Sequence, residues 1–566
     1  MAPRTTRTRP TAKAAPVTNG ASAATTASKK RKAADAEADI ETKPVPSKRT
    51  KGKDFDVKEL DDAIQDIDTA KTSKKAAASK AKAAKPAAKR AAAATAFDIE
   101  PKSTLADFKA SPPDASSLPI INQAPTDVLT VYVFGTGDMS GDLGLGPKKK
   151  TAKLPTVIPE LDGRKEGSYR VVQLACGGMH SVALTEDSKI VTWGGNDDGA
   201  LGRDSTWEGG LRDMDAEQNG DDGASDDSDD EALNPIESTP THIPETAFPA
   251  GTRFTCVAAG DSCSFAVTET GLVYGWGTFA DSEANKTFLV YKGETIEKQE
   301  EPMLIPGLQN IKSVVCGSNH AVALDASGRV WTWGVSEKLQ VGRRLRPEND
   351  HKDNFYPGVL NLSRHAVKQI AAGPYHSLAL DKLDRVYAWG MNNFGQAGYN
   401  KNAGADNAQL PNPLEIRSLS KKGIQVLAAA AKQSAAVTAD GRFLVWGAVG
   451  EWNGFQLTQE QIDNPKLVFK TESGRPGIIL QPLEVPGIGE AAYVACSATH
   501  TIFINKEGKA FAAGYGEEGQ LGNKEMEDNK VAKPVMRLDN VKLTWAGTGG
   551  QWSMVATHAT QTNGTA

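Results

Sequence analysis

An interval constrains this chain more than any other feature. His180 precedes Gly194 by 14 residues, and the same spacing separates Cys263 from Gly277, His320 from Gly334, His376 from Gly390, Gln433 from Gly447 and His500 from Gly514. The text around it recurs as well: VVQLACGGMHSVALTEDSKIVTWGG, IKSVVCGSNHAVALDASGRVWTWGV and VKQIAAGPYHSLALDKLDRVYAWGM are versions of one phrase. Each reads as strand, glycine turn, strand, tight turn and a third strand ending in Trp-Gly. A unit this small cannot bury its apolar faces alone, so neighbouring copies must stack. Successive units start 83, 57, 56, 57 and 67 residues apart, which places the insertions in connections.

Two fragments complete the count. TVYVFGTGDMSGDLGLG (130–146) supplies only the end of a unit, Phe134-Gly135, and VKLTWAGTGGQWSMVA (541–556) supplies only a beginning, with Trp552 at the histidine position. Pairing the two fragments closes a ring and removes exposed sheet edges. The expected fold is therefore all-β: a seven-bladed β-propeller over 121–560 with a composite N-/C-terminal blade, preceded by a disordered basic tail (1–120) and followed by a disordered C-terminus (561–566).

A hydrophobic content of 39% is low for a globular chain and means that a polar segment dilutes an ordinary core. That segment is the tail. Residues 1–110 hold 24 Lys+Arg against 14 Asp+Glu, about +10, within a chain whose net charge is −5. Rich in Ala, Lys, Thr and Pro, it lacks the apolar surface to offset ordering entropy. Its clusters Lys29, Lys30, Arg31, Lys32 and Lys48, Arg49, Lys51, Lys53 read as nuclear localisation signals bound by an import receptor. Lys74, Lys75, Lys80, Lys82, Lys85, Lys89 and Arg90 are spaced by alanine, a pattern suited to salt-dependent phosphate contact with DNA. Ala2, followed by Pro3-Arg4, matches a motif for α-N-terminal methylation. The five cysteines show no CxxC pair or zinc spacing and read as buried thiols of a reducing compartment. No apolar run is long enough for a membrane span, and the first residues have no signal-like stretch.

No GxSxG, phosphate-binding loop or paired-carboxylate motif appears, so no covalent catalyst, cofactor or metal is expected. Repeated histidines invite a metal reading, but symmetry keeps them in separate blades, and Cys263, Gln433 and Trp552 replace them freely. They read as satisfying backbone groups in turns, and the Trp-Gly tryptophans as blade packing.

GGMHSVAL, NDDGALGRDSTWEGG, AAGDS and WGTFADS make the chain resemble the regulator-of-chromosome-condensation family, most closely its founding nuclear exchange factor for the GTPase Ran. The resemblance covers about 131–559. It implies that the loops after the first strands converge on one face and grip Ran through Asp138, His180, Asp261, Asn319 and His320. It also gives a role to the segment after Trp276-Gly277, where the usual turn is lost: Thr278, Phe279, Ala280, Asp281, Ser282, Glu283, Ala284, Asn285 and Lys286 would protrude as a wedge against the GTPase's nucleotide site. Three departures stand out: Ala280 where the family has arginine, Asn319 where it has aspartate, and no central glycine in the wedge. Arg343, Arg344 and Arg346 match a loop that contacts the acidic patch of the nucleosome, which the propeller would meet with a face other than the one that holds Ran. Residues 204–238 read as an acidic disordered insertion. The implied protein is a monomeric, nuclear, chromatin-associated exchange factor that works by binding. A propeller adaptor without exchange activity and an ultraviolet-B photoreceptor-like sensor are the alternatives.

Overall fold

A computed structural model describes residues 117–137, 140–208, 232–343, 351–362, 365–449, 454 and 456–559. Expectations for 1–116, for the core of the acidic insertion (209–231) and for 561–566 lie outside these residues. The architecture is a seven-bladed β-propeller. Blade one is the composite, with strand order Thr151–Asp162, Leu129–Thr136, Trp552–His558, Leu543–Thr548. Blade two begins at Val171, blade three at Phe254, blade four at Ile311, blade five at Val367, blade six at Ile424 and blade seven at Ala491.

The 14-residue interval is a strand register. His180 pairs with Gly194, Cys263 with Gly277, His320 with Gly334, His376 with Gly390, Gln433 with Gly447, His500 with Gly514, and Trp552 with Gly135 across the chain ends. All seven glycines take φ between +94° and +130°, a region open chiefly to glycine. A Cβ on Gly277 would lie 2.1 Å from the carbonyl oxygen of Ser262.

The first strand of every blade ends at a central channel. Its lining takes equivalent residues from all seven blades: Cys176, Ala259, Cys316, Ala372, Ala429, Cys496 and Thr548. The apolar core is distributed over the joints between blades; one cluster, for instance, joins Trp276 of blade three to Val182 and Leu184 of blade two. Each histidine crosses such a joint. His180 Nε2 meets Ser264 Oγ at 2.8 Å, His320 meets Ser377 at 2.8 Å, His376 meets Ser434 at 2.7 Å and His500 meets Ser553 at 2.7 Å. Gln433 does the same with its amide, donating to Thr501 Oγ1 at 3.0 Å. The histidines thus bond side chains of the next blade, and His180 also meets the turn backbone at Asp261, as expected from sequence.

This explains the glycine three residues before His180, His320 and His376; before His500 the position is Ser497, whose Oγ instead meets His500 Nδ1 at 3.0 Å. A Cβ at Gly317 would sit 2.2 Å from His320 Cε1 and 2.3 Å from the carbonyl oxygen of Gly373. Where glutamine replaces the imidazole, Ala430 is tolerated. Among the described residues no helix is long and apolar enough to cross a membrane, and all five cysteines are free. The insertion limits 204–238 were too wide. Asn234 caps the short helix Pro235–Ser238, and Ser205 Oγ donates to Glu237 at 2.7 Å, so both ends of the segment are built into blade two. Gly317→Ala is expected to cost about 3 kcal/mol by overpacking, against less than about 1 kcal/mol for Ala430→Gly; urea denaturation of the two variants checks the contrast.

Candidate functional site

Beyond Gly277 the chain leaves its sheet. Thr278 N still donates to Ser262 O at 2.8 Å. Thr287 N then donates to Phe279 O at 2.9 Å, Ala280 bridges Lys286, and Asp281 N donates to Asn285 O at 3.1 Å, closing a narrow hairpin. Asp281 Oδ1 accepts from the amides of Glu283 (3.0 Å) and Asn285 (2.8 Å) and so fixes the turn. Ala284 takes the left-handed conformation, φ +62°, that the missing glycine would favour. A second small pair, Leu289–Tyr291 with Glu294–Ile296, follows before the chain rejoins blade three at Gln299.

Packing accounts for the lost turn. At other joints a turn glycine lies against the next blade's tryptophan: Gly144 on Trp193, Gly202 on Trp276, Gly342 on Trp389, Gly398 on Trp446. After Gly277 the joint is filled by Phe279 and Phe288. Both are buried, both lie nearly parallel to Phe265 at 6.2–6.3 Å, and they share a cluster with Trp333. Ser282 to Lys286 are exposed.

Neighbouring blades hold the hairpin from both sides. Ala280 N donates to Asn319 Oδ1 at 2.8 Å and Ser282 Oγ to Glu337 at 2.8 Å, both in blade four. Lys286 forms an ion pair with Asp198 of blade two. Sequence reading missed Asp198 and Glu337. Their only signal is position: they fall four and three residues after the Trp-Gly of the blades flanking the irregular one.

The five residues assigned to the gripping face have separate fates. Asp138 lies outside the described residues. Asp261 is exposed at the channel mouth, with its amide on Ser318 O at 3.1 Å. Protein surrounds its carboxyl on the channel side; this desolvation raises its pKa above the usual value, while a hydrogen bond with Ser318 acts in the opposite direction. Asn319 is half-buried beneath the hairpin. His180 and His320 must be corrected: both are 0% exposed and committed to the next blade, so neither can touch a partner. Their chemistry follows from the network. Ser264 donates to Ala200 O at 2.9 Å and Ser434 to Gln396 O at 2.9 Å. Each hydroxyl has one proton, so the imidazole must be the donor through Nε2–H. In His320 and His376 the other nitrogen, Nδ1, has no partner. Protonating it would bury a charge, and burial lowers the pKa to about 4 for His180 and about 3 for His320, His376 and His500.

The arginine loop also changes. Arg343 turns inward and donates to Tyr356 O at 3.1 Å; burial lowers its pKa to about 10. It repeats the role of Arg203, which donates to Thr192 O at 3.0 Å and Ile236 O at 2.9 Å. It is therefore half-buried and committed to packing its own loop. Arg344 and Arg346 lie outside the described residues. The chain enters this loop after the third strand of blade four, at the end that also bears Asn319.

A closed propeller with one hairpin standing out of its blade at the channel mouth defines a narrow class of repeat proteins. A family model described as the RCC1-like domain matches residues 130–555, more than half of the chain, and the chain belongs to that family. Protein pim1 of Schizosaccharomyces pombe is 31% identical over 79% of this chain and 77% of its own length. The guanine nucleotide exchange factor SRM1 of Saccharomyces cerevisiae is 32% identical over 75% of this chain and 86% of its own. The solved structure of Saccharomyces cerevisiae Prp20p, a protein characterised for binding Gsp1p and histones, matches with a TM-score of 0.66 at 29% identity, covering 77% of this chain and 92% of that one. The same yeast protein bound to Kap60 also matches at 0.66.

The staple histidines set a pH dependence. An unfolded histidine titrates near 6.5, whereas these stay neutral in the fold until about 3 to 4. Between those values the unfolded chain binds more protons, so stability falls as pH drops below about 6.5. His376→Gln, which copies Gln433, removes one such site. From pH 7.5 to pH 5 the variant is expected to lose about 2 kcal/mol less unfolding free energy than wild type, as read from denaturant titrations at both pH values.

Proposed function

We propose that this protein is a nuclear, chromatin-associated guanine-nucleotide exchange factor for a Ran-type GTPase. The observation that carries the reading is the hairpin 278–288, which leaves its blade beside Asp261 and Asn319 on the channel-mouth face, in a chain about a third identical to an exchange factor over most of its length. The likeness to a yeast protein studied for Gsp1p and histone binding, and also solved with Kap60, supports Ran, chromatin and an import receptor as partners.

The proposed chemistry is binding. A GTPase that holds nucleotide at picomolar levels does so with roughly −16 kcal/mol. Exchange needs the phosphate and Mg²⁺ contacts displaced and the empty state stabilised. The exposed tip, Ser282 to Lys286, is the displacing element, and its clamps on two neighbouring blades keep it from folding away under load. Asp261 supplies a carboxylate for a basic side chain of the partner, adding orientation and on-rate. Asp138, Arg344 and Arg346 remain candidate contacts, with the basic tail as the polyanion contact.

The adaptor reading draws on Ala280, which replaces the family's arginine. Release of labelled GDP from purified Ran separates the two. Wild type is expected to accelerate release. Replacing 281–286 by a Gly-Ser turn should lower kcat at least 100-fold, and Asp261→Ala should raise KM about tenfold, near 1.4 kcal/mol. Equal release with and without the wild-type protein would leave the adaptor.

A further inference from the structure

The joint between blades three and four lacks both devices that hold the others. Cys263 stands where a staple histidine would be and Ala321 where its serine would be. The turn whose glycine packs on the next tryptophan is gone, replaced by the hairpin. Among the described residues, no other joint misses both. The phenylalanine cluster around Trp333 fills this joint, and two backbone hydrogen bonds cross it, Asp261 N to Ser318 O at 3.1 Å on the hairpin face and Ile311 N to Gly271 O at 2.9 Å on the rear face.

A different segment crosses it. Asn122 lies ahead of the first blade, is 8% exposed, and donates from Nδ2 to two carbonyls: Thr268 O of blade three at 3.0 Å and Ile311 O of blade four at 2.7 Å. The backbone amides of Ile121 and Asn122 both donate to Glu269 O, at 2.9 and 3.0 Å. From there the chain runs to Val128, whose carbonyl accepts from Ala559 N at 2.7 Å in the composite blade. The lead-in therefore straps blade one to the weak joint on the face opposite the channel mouth.

Thr268 ends the strand that Cys263 begins, and Ile311 begins the strand that Cys316 ends. Six residues at about 3.3 Å each put the two faces roughly 20 Å apart. At the far end the same two blades meet through Ala280 N and Asn319 Oδ1, at the base of the hairpin. One joint is tied at both ends, with an aromatic cluster between as a pivot. We propose that Asn122 is a positioning residue for exchange: by tying blades three and four on the rear face it fixes the seat of the hairpin on Asn319. Its effect on rate rests on the exchange-factor reading; its effect on the hairpin does not.

The test uses the full chain with Asn122→Ala. The control is Asn505→Ala, which removes another buried amide, one that donates to Ile488 O at 3.0 Å in blade seven, far from the hairpin. Hydrogen exchange is read at the amides of Ala280 and Thr287, together with kcat and KM for GDP release. Asn122→Ala should lose at least tenfold in protection at both amides and lower kcat at unchanged KM. Asn505→Ala should lower Tm comparably and change neither. Protection within twofold of wild type in Asn122→Ala, or the same loss in Asn505→Ala, overturns the proposal. If Asn122→Ala does not fold, Asn122→Ser is measured under the same criteria. If wild type releases no GDP, the functional reading fails, and the protection data still decide whether the strap seats the hairpin.

Discussion

At two of the joints a single carbonyl oxygen of the connecting turn governs how the blades meet. Ala200 O accepts from Trp276 Nε1 at 2.7 Å and Ser264 Oγ at 2.9 Å; Gln396 O accepts from Trp446 at 2.9 Å and Ser434 at 2.9 Å. Each serine in turn receives the imidazole of the preceding blade. Indole, hydroxyl and imidazole are thus locked around one acceptor in a dry joint, where hydrogen bonds polarise one another and an unmade bond is costly. The ring's rigidity follows, and so does the need for the glycines packed against His180, His320 and His376.

That rigidity gives the hairpin its mechanical meaning. A segment on a pliable scaffold would yield against a partner, whereas this one is footed on buried aromatics and clamped to the turns on either side. Around it the protein holds little proton chemistry. The staple imidazoles are neutral and sealed, and burial raises the thiol pKa of Cys176, Cys256, Cys316 and Cys496. What the face offers is shape and charge.

Much of the ring was legible because the repeat is written in strand register, and register is local arithmetic: His180 to Gly194 is one hairpin, and Trp552 to Gly135 is that hairpin cut in two. The departure of 278–288 was legible as missing glycines. Burial was not. His180 and His320 begin strands just after loops that converge on the proposed site, but their rings point across the joint, and Arg343 belongs to a basic run yet folds under its own loop. The clamps Asp198 and Glu337 and the strap residue Asn122 carry no motif, since each acts on residues far away in the chain.

By itself the sequence determined the blade count, the closure and the place where regularity fails, because alternation, turn glycines and fixed intervals are dictated by backbone geometry within one hairpin. Only the tertiary structure decided which polar side chains face a partner and which are consumed between blades. That choice depends on what the neighbouring blade places opposite, a serine for His376, an alanine for Cys263, and the two members of each pair are brought together only when the ring closes.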